Sequence, residues 1–209
     1  MKRTLPFILA VWAAWLVPAL AFAQTTLRDT VFIDFGNNVS PLPWNNLADP
    51  VAGEIPALYN QSSLLTSYGI VVFDAFNNIN TGGVATPDPS IGFPATATSD
   101  SFFGNVGDFG GQSQPTGGVD LVNLDPGQTY SFTIFASRGN VTDNREAQYI
   151  LEGATTDTVY LDAANNGSMV ATITLAPDAE GRIRMTAAAK CLTIPTEQVL
   201  LSGCPVHGI

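Results

Sequence analysis

The stretch Tyr130–Ser137, reading YSFTIFAS, decides the fold. Tyr130, Phe132, Ile134 and Ala136 fall on one side, and mostly Ser and Thr on the other. A period of two is that of a strand with one buried and one wet face, the habit of antiparallel sheets. Asp125-Pro126-Gly127 just before it reads as a turn, with Pro fixing φ and Gly supplying a permissive corner.

Working outward, short β-rich runs alternate with Gly, Pro, Asn and Asp clusters. Upstream lie Val31–Phe35 (VFIDF, stopped by Gly36-Asn37-Asn38), Gly69–Phe73, Ser101–Phe103 and Val119–Leu124. Downstream lie Ala147–Glu152, Thr158–Asp162, Val170–Leu175 and Arg182–Thr186, with a turn at Pro177–Gly181. No segment of this body keeps a helical period beyond two turns. The pattern predicts an all-β fold: an antiparallel two-sheet sandwich, jelly-roll-like, of roughly eight strands. Two stretches, about 41–67 and 77–100, read as long polar loops, with Trp44, Tyr59, Tyr68, Phe76 and Phe93 in or beside them.

The ends differ from the body. Lys2 and Arg3, the apolar run 5–20 and Ala21-Phe22-Ala23 have the form of a secretory signal peptide over residues 1–23. The run is broken by Pro18 and is short for a bilayer, so no membrane span is expected after cleavage. Loss of Lys2 and Arg3 would take the formal charge of the 209-residue chain from -10 to -12. The expected location is secreted, periplasmic or cell surface, and a nucleic-acid partner is excluded by the acidic balance. The sandwich domain is assigned to residues 24–187 and an atypical tail to 188–209.

Residues 24–190 contain neither His nor Cys. That removes His/Cys zinc sites, a Cys nucleophile and a Ser-His-Asp triad from the body. His207, Cys191 and Cys204 all fall in the tail. One reading is a Cys191–Cys204 disulfide, at home in an exported protein. The other is a frameshift near Lys190. Val199–Pro205 can be encoded so that the next frame reads FYYLGA, a closing strand whose loss would leave an open sheet edge.

The remaining chemistry is oxygen- and aromatic-based. Trp44 and Tyr59 are candidates for stacking on the apolar face of a sugar ring, with Asn45 and Asn46 bonding its hydroxyls; the alternative is that they plug the ends of the sandwich. Arg138, Asp143 and Arg145 flank one loop, either holding sugar hydroxyls or uronic acids or forming an ion-pair network that pins the loop. Asp74, Asn77, Asp162 and Asn166 are oxygen-rich enough for a structural calcium ion, against ordinary Asn/Asp turn chemistry; no other cofactor is implied. Paired carboxylates for glycoside chemistry stay open, with no specific signal among 18 acids.

Seven strings, IDFG (33–36), WNN (44–46), FNNINTGG (76–83), DSFFG (100–104), LDPGQTYSFTIFASR (124–138), DNRE (143–146) and LDAANN (161–166), together resemble a module of secreted bacterial proteins of the galactose-binding-like, carbohydrate-binding-module-like kind. The resemblance covers about residues 30–187 and implies a non-catalytic binding domain for a polysaccharide or surface glycan. A structural or adhesive surface protein assembling through sheet edges is the competing class, and a carboxylate-pair hydrolase the third. Ligand and oligomeric state are not implied.

Overall fold

The computed structural model describes residues 29–190. The signal peptide, Cys191, Cys204 and His207 lie outside the described residues. Within them the chain is nearly all β. One layer is a six-stranded antiparallel sheet in the order β12-β11-β14-β9-β4-β3. Its strands are β3 (Glu54–Ile55), β4 (Gly69–Asp74), β9 (Thr116–Val122), β11 (Glu146–Glu152), β12 (Thr156–Asp162) and β14 (Ile183–Ala189).

Four two-stranded pieces complete the fold. They are β1 (Phe32–Phe35) with β2 (Trp44–Leu47), β5 (Asn78–Asn80) with β6 (Ser101–Phe103), β7 (Asn105–Phe109) with β8 (Gln112–Gln114), and β10 (Tyr130–Ile134) with β13 (Ala171–Leu175). The strands read from the sequence are all present. The count among the described residues is fourteen rather than eight. The extra strands are short, and most sit in the stretches read as loops. One pairing breaks the antiparallel expectation: β1 and β2 run parallel.

Alternation explains the core. In β11 the pattern buries Ala147, Tyr149 and Leu151. In β13 it buries Ala171, Ile173 and Leu175 while Thr172 and Thr174 are exposed. With Ile70, Val119 and Ile183 from the large sheet and Phe76 and Phe102 from the opposite side, these form one cluster. The Tyr130–Ala136 strand packs Tyr130, Phe132 and Ile134 against it, as its period requires. The turn before it forms as read: Gln128 N–H donates to the Asp125 carbonyl at 3.0 Å and Gly127 N–H to the Asp125 carboxylate at 2.9 Å. β14 runs through Ala189, two residues past the boundary read at 187, with β11 and β9 on its two sides.

Candidate functional site

Trp44, Asn45 and Asn46 form most of β2, and they serve the frame. The Trp44 ring stacks on Phe32 at 5.1 Å and meets Phe93 edge-on at 5.4 Å. Asn45 is buried; its amide donates to the carbonyls of Phe32 and Tyr59, both at 2.9 Å, and its oxygen accepts from Tyr59 N–H at 2.8 Å. Asn46 closes a ring with Ser40 through both backbone groups. Tyr59 is partly exposed, at 39%. These residues tie β2 to β1 and to the 59–61 segment. Asn45→Ala would strand three buried backbone groups, so a loss of about 2 kcal/mol of stability is expected, read as a lower urea midpoint at unchanged m value.

Arg138 and Arg145 do come together. The Ala163 carbonyl accepts from Arg138 N–H at 2.7 Å, while Ala163 N–H donates to the Arg145 carbonyl at 3.2 Å. Their guanidinium groups turn to loop neighbours. Arg138 donates to Asn80 Oδ1 at 2.5 Å, and Arg145 to Asp143 Oδ1 at 3.0 Å. This is the arrangement of a network that pins loops. It leaves Gly82 no room for a side chain, since a Cβ there would lie 2.3 Å from Arg138 Nη1.

The four oxygen-bearing residues considered for calcium are committed to hydrogen bonds or lie apart. Asp74 accepts from the Thr116 hydroxyl at 2.6 Å, and Asp162 from Ala164 N–H at 2.9 Å. Asn166 is buried, donates to the Ala136 and Met169 carbonyls and accepts from Ser168 and Met169 N–H. Asn77 has a buried amide nitrogen without a partner. The described residues hold no group of three or more His, Cys, Asp or Glu side chains placed to hold a metal ion.

Two other places carry chemistry that the sequence reading passed over. The first is a buried acid pair. Asp34 of β1 is 2% exposed and Asp100 5%, and neither oxygen of Asp34 has a hydrogen-bond partner. Asp100 Oδ2 accepts from Asn37 and Asn38 N–H, and its Oδ1 has no partner. Burial lifts the Asp34 carboxyl to about 6; the polar groups of nearby Ser40 offset part of the rise, and the Asp100 charge adds to it. Both acids stand in quoted strings, IDFG and DSFFG, but nothing in either string shows that they meet.

The second is the outer face of the six-stranded sheet. Phe73 of β4 is 37% exposed and Tyr160 of β12 is 48% exposed. Phe73 rests against Gly118, where a Cβ would come within 2.4 Å of the ring, and the Arg184 guanidinium lies 3.8 Å from its centroid. Arg184 in turn forks onto both oxygens of Asp120 at 2.8 and 2.9 Å. At the other edge Lys190 Nζ lies 4.5 Å from the Tyr160 ring centroid and bonds Glu146 at 2.9 Å. Register places Gln148 opposite Tyr160, and Thr186 and Ile150 in the row between. Four strand spacings separate Phe73 from Tyr160, about 19 Å. The result is an open face with an aromatic ring at each side, each ring steadied by a cation, and hydrogen-bonding groups between.

The described residues form a nearly all-β fold consistent with an all-β sandwich. No family model, no curated protein and no solved structure matches the chain. No helix among the described residues is long and apolar enough to cross a membrane.

Proposed function

We propose that this chain is an exported, non-catalytic module that holds a neutral polysaccharide or surface glycan on the outer face of its six-stranded sheet. The observation that carries it is the pair of exposed rings, Phe73 and Tyr160, on one sheet face with Gln148, Thr186 and the Arg184–Asp120 fork between them. Aromatic faces suit the C–H faces of sugar rings, and the polar row suits their hydroxyls. A net charge of -10 disfavours a polyanion. The site is moved from Trp44 and Asn45, whose groups hold the frame.

Affinity electrophoresis of the purified chain through neutral polysaccharides tests it. Phe73→Ala with Tyr160→Ala is expected to weaken retention by about tenfold or more, or roughly 1.4 kcal/mol. Asn45→Ala should lower stability and leave affinity unchanged. Retention untouched by the double variant, or none on any neutral glycan, would sink the proposal.

A further inference from the structure

Three carboxylate oxygens lie buried without a hydrogen-bond partner at one seam of the fold: both of Asp34 and Oδ1 of Asp100. The seam joins β1, and the loop Gly36–Ser40 that leaves it, to the segment Phe93–Asp100, which contains the short helix Ala95–Thr98. Alternation along the strands puts Asp34 on the same face of the β1–β2 pair as Phe32, Trp44 and Asn46. Phe93 meets Trp44 on that face, and the Thr96 and Ser40 hydroxyls share a bond at 2.8 Å.

Side chains do the joining. Asp100 Oδ2 accepts from the N–H groups of Asn37 at 2.7 Å and Asn38 at 2.8 Å, and the Asn38 amide donates to the Ser99 hydroxyl at 2.8 Å. Gly36 passes so close that a Cβ there would overlap the Asp100 carboxylate. Among the described residues no backbone-to-backbone bond crosses the seam. Nor do the elements around Asp34 supply a countercharge. β2, the Gly36–Ser40 loop, the Phe93–Asp100 segment and β6 carry no Lys, Arg or His, and Asp100 is the one titratable group among them. Two buried charges so placed are relieved either by a proton on one of them or by water admitted through an opening. The segment also borders a partly open cleft of about 500 Å³. Ile91, Phe93, Ala97 and Asp100 line it from one side, and residues of β1 and β10 from others.

We propose that the Asp34–Asp100 pair is a pH-operated clasp: a proton on Asp34 keeps the segment Phe93–Asp100 down on β1 and β2, and loss of that proton lets the segment lift and widens the cleft. The clasp closes in acid and loosens toward neutral pH. The sign follows from linkage. Asp34 is held at about 6 in the closed form, against 3.8 once opened to water, so closure is strongest below 3.8 and weakens as pH rises through 6. The open form is a minor state reached by local opening, not by unfolding of the sheet.

Amide hydrogen exchange of the full chain tests this at Asn37 and Asn38, whose N–H groups Asp100 holds. After division by the intrinsic exchange rate, the opening constant there is expected to climb about tenfold between pH 5 and 7.5. Low urea should barely change it, because a local opening exposes little surface, whereas exchange at Tyr149 and Leu151 in β11 should respond steeply. Asp34→Asn should abolish the climb. Asn38→Ala, which removes the tie to Ser99 and no charge, should raise opening at both pH values and keep the tenfold ratio. A climb that persists in Asp34→Asn would overturn the proposal, as would no climb in the wild type. Urea dependence at Asn37 and Asn38 as steep as at Tyr149 would also overturn it, since the whole sheet would then be unfolding. So would closure at pH 7.5 that a chelator reverses, because a cation would then hold the pair.

Discussion

Gly117→Val is expected to lower Tm by roughly 6–12 °C, while Gly118→Ala should cost less and also weaken glycan retention. The two glycines are neighbours in β9, so they open onto opposite faces of the sheet. At Gly117 a Cβ would stand 2.3 Å from Cδ1 and 2.6 Å from two further ring atoms of Phe76. Phe76 has nowhere to go. Its N–H is tied to the Pro50 carbonyl at 2.9 Å and its ring packs on Phe102 at 5.3 Å in the buried cluster. Overpacking of this kind costs about 3 kcal/mol at the upper end of the usual range, and the added methyl groups of Val make that end apply. At Gly118 the ring in the way is Phe73, which borders solvent and can swing out, while the Met185 carbonyl, 2.9 Å from the added Cβ, must also give. Moving it separates the ring from Arg184, so the damage appears in binding. Calorimetry of both variants, with the Gly117→Val, Phe76→Leu double, checks the account. The double should cost less than the sum of its parts, because both changes act on one contact. Strict additivity would show that Phe76 is not what the glycine makes room for.

The same pair marks how far the sequence could be read. Alternation in Tyr130–Ala136 and in Ala147–Leu151 assigns a face to every residue, and the structure keeps those faces. GIVVF at 69–73 has no polar partner residues, so no parity can be read from it. That Ile70 and Val72 turn in and Phe73 out follows from pairing with β9, forty-odd residues away. The WNN string shows why the loop reading of 41–67 missed a strand. Its polar side chains bond backbone rather than water, and the parallel pairing with β1 is a tertiary event with no local turn to announce it. The candidate site suffered for the same reason. Arg138 and Arg145 were found because charges are rare here, yet rarity does not reveal that each is spent on a loop. Phe73 and Tyr160 were read as strand positions only, since exposure depends on which sheet face is covered.

Asp34→Asn is expected to raise stability at pH 7.5 by about 3 kcal/mol and to flatten the pH profile between about 4 and 6. The folded chain holds the Asp34 proton up to about pH 6, whereas an unfolded Asp releases it near 3.8. A carboxyl raised in this way stabilises fully below 3.8, and that contribution is lost as pH climbs through 6. The difference of about two pH units corresponds to about 3 kcal/mol. Asp49, Asp88 and Asp178 act in the opposite direction. Backbone N–H groups hold Asp49 and Asp88 below the usual range. At Asp178 burial pushes upward, but the backbone N–H groups of Arg182 and Glu180 and the Arg182 guanidinium together outweigh it. The contribution of these three is present above the unfolded value and is lost as pH falls below it, so the window from about 4 to 6 belongs to Asp34. The amide that Asp34→Asn introduces would be neutral in the same buried space. Urea midpoints at pH 4, 5, 6 and 7.5 for both proteins measure the effect. A wild-type midpoint that rises across that window and falls on adding a chelator would mean that a cation, not a proton, neutralises the pair. In that case Asp34→Asn should destabilise at every pH.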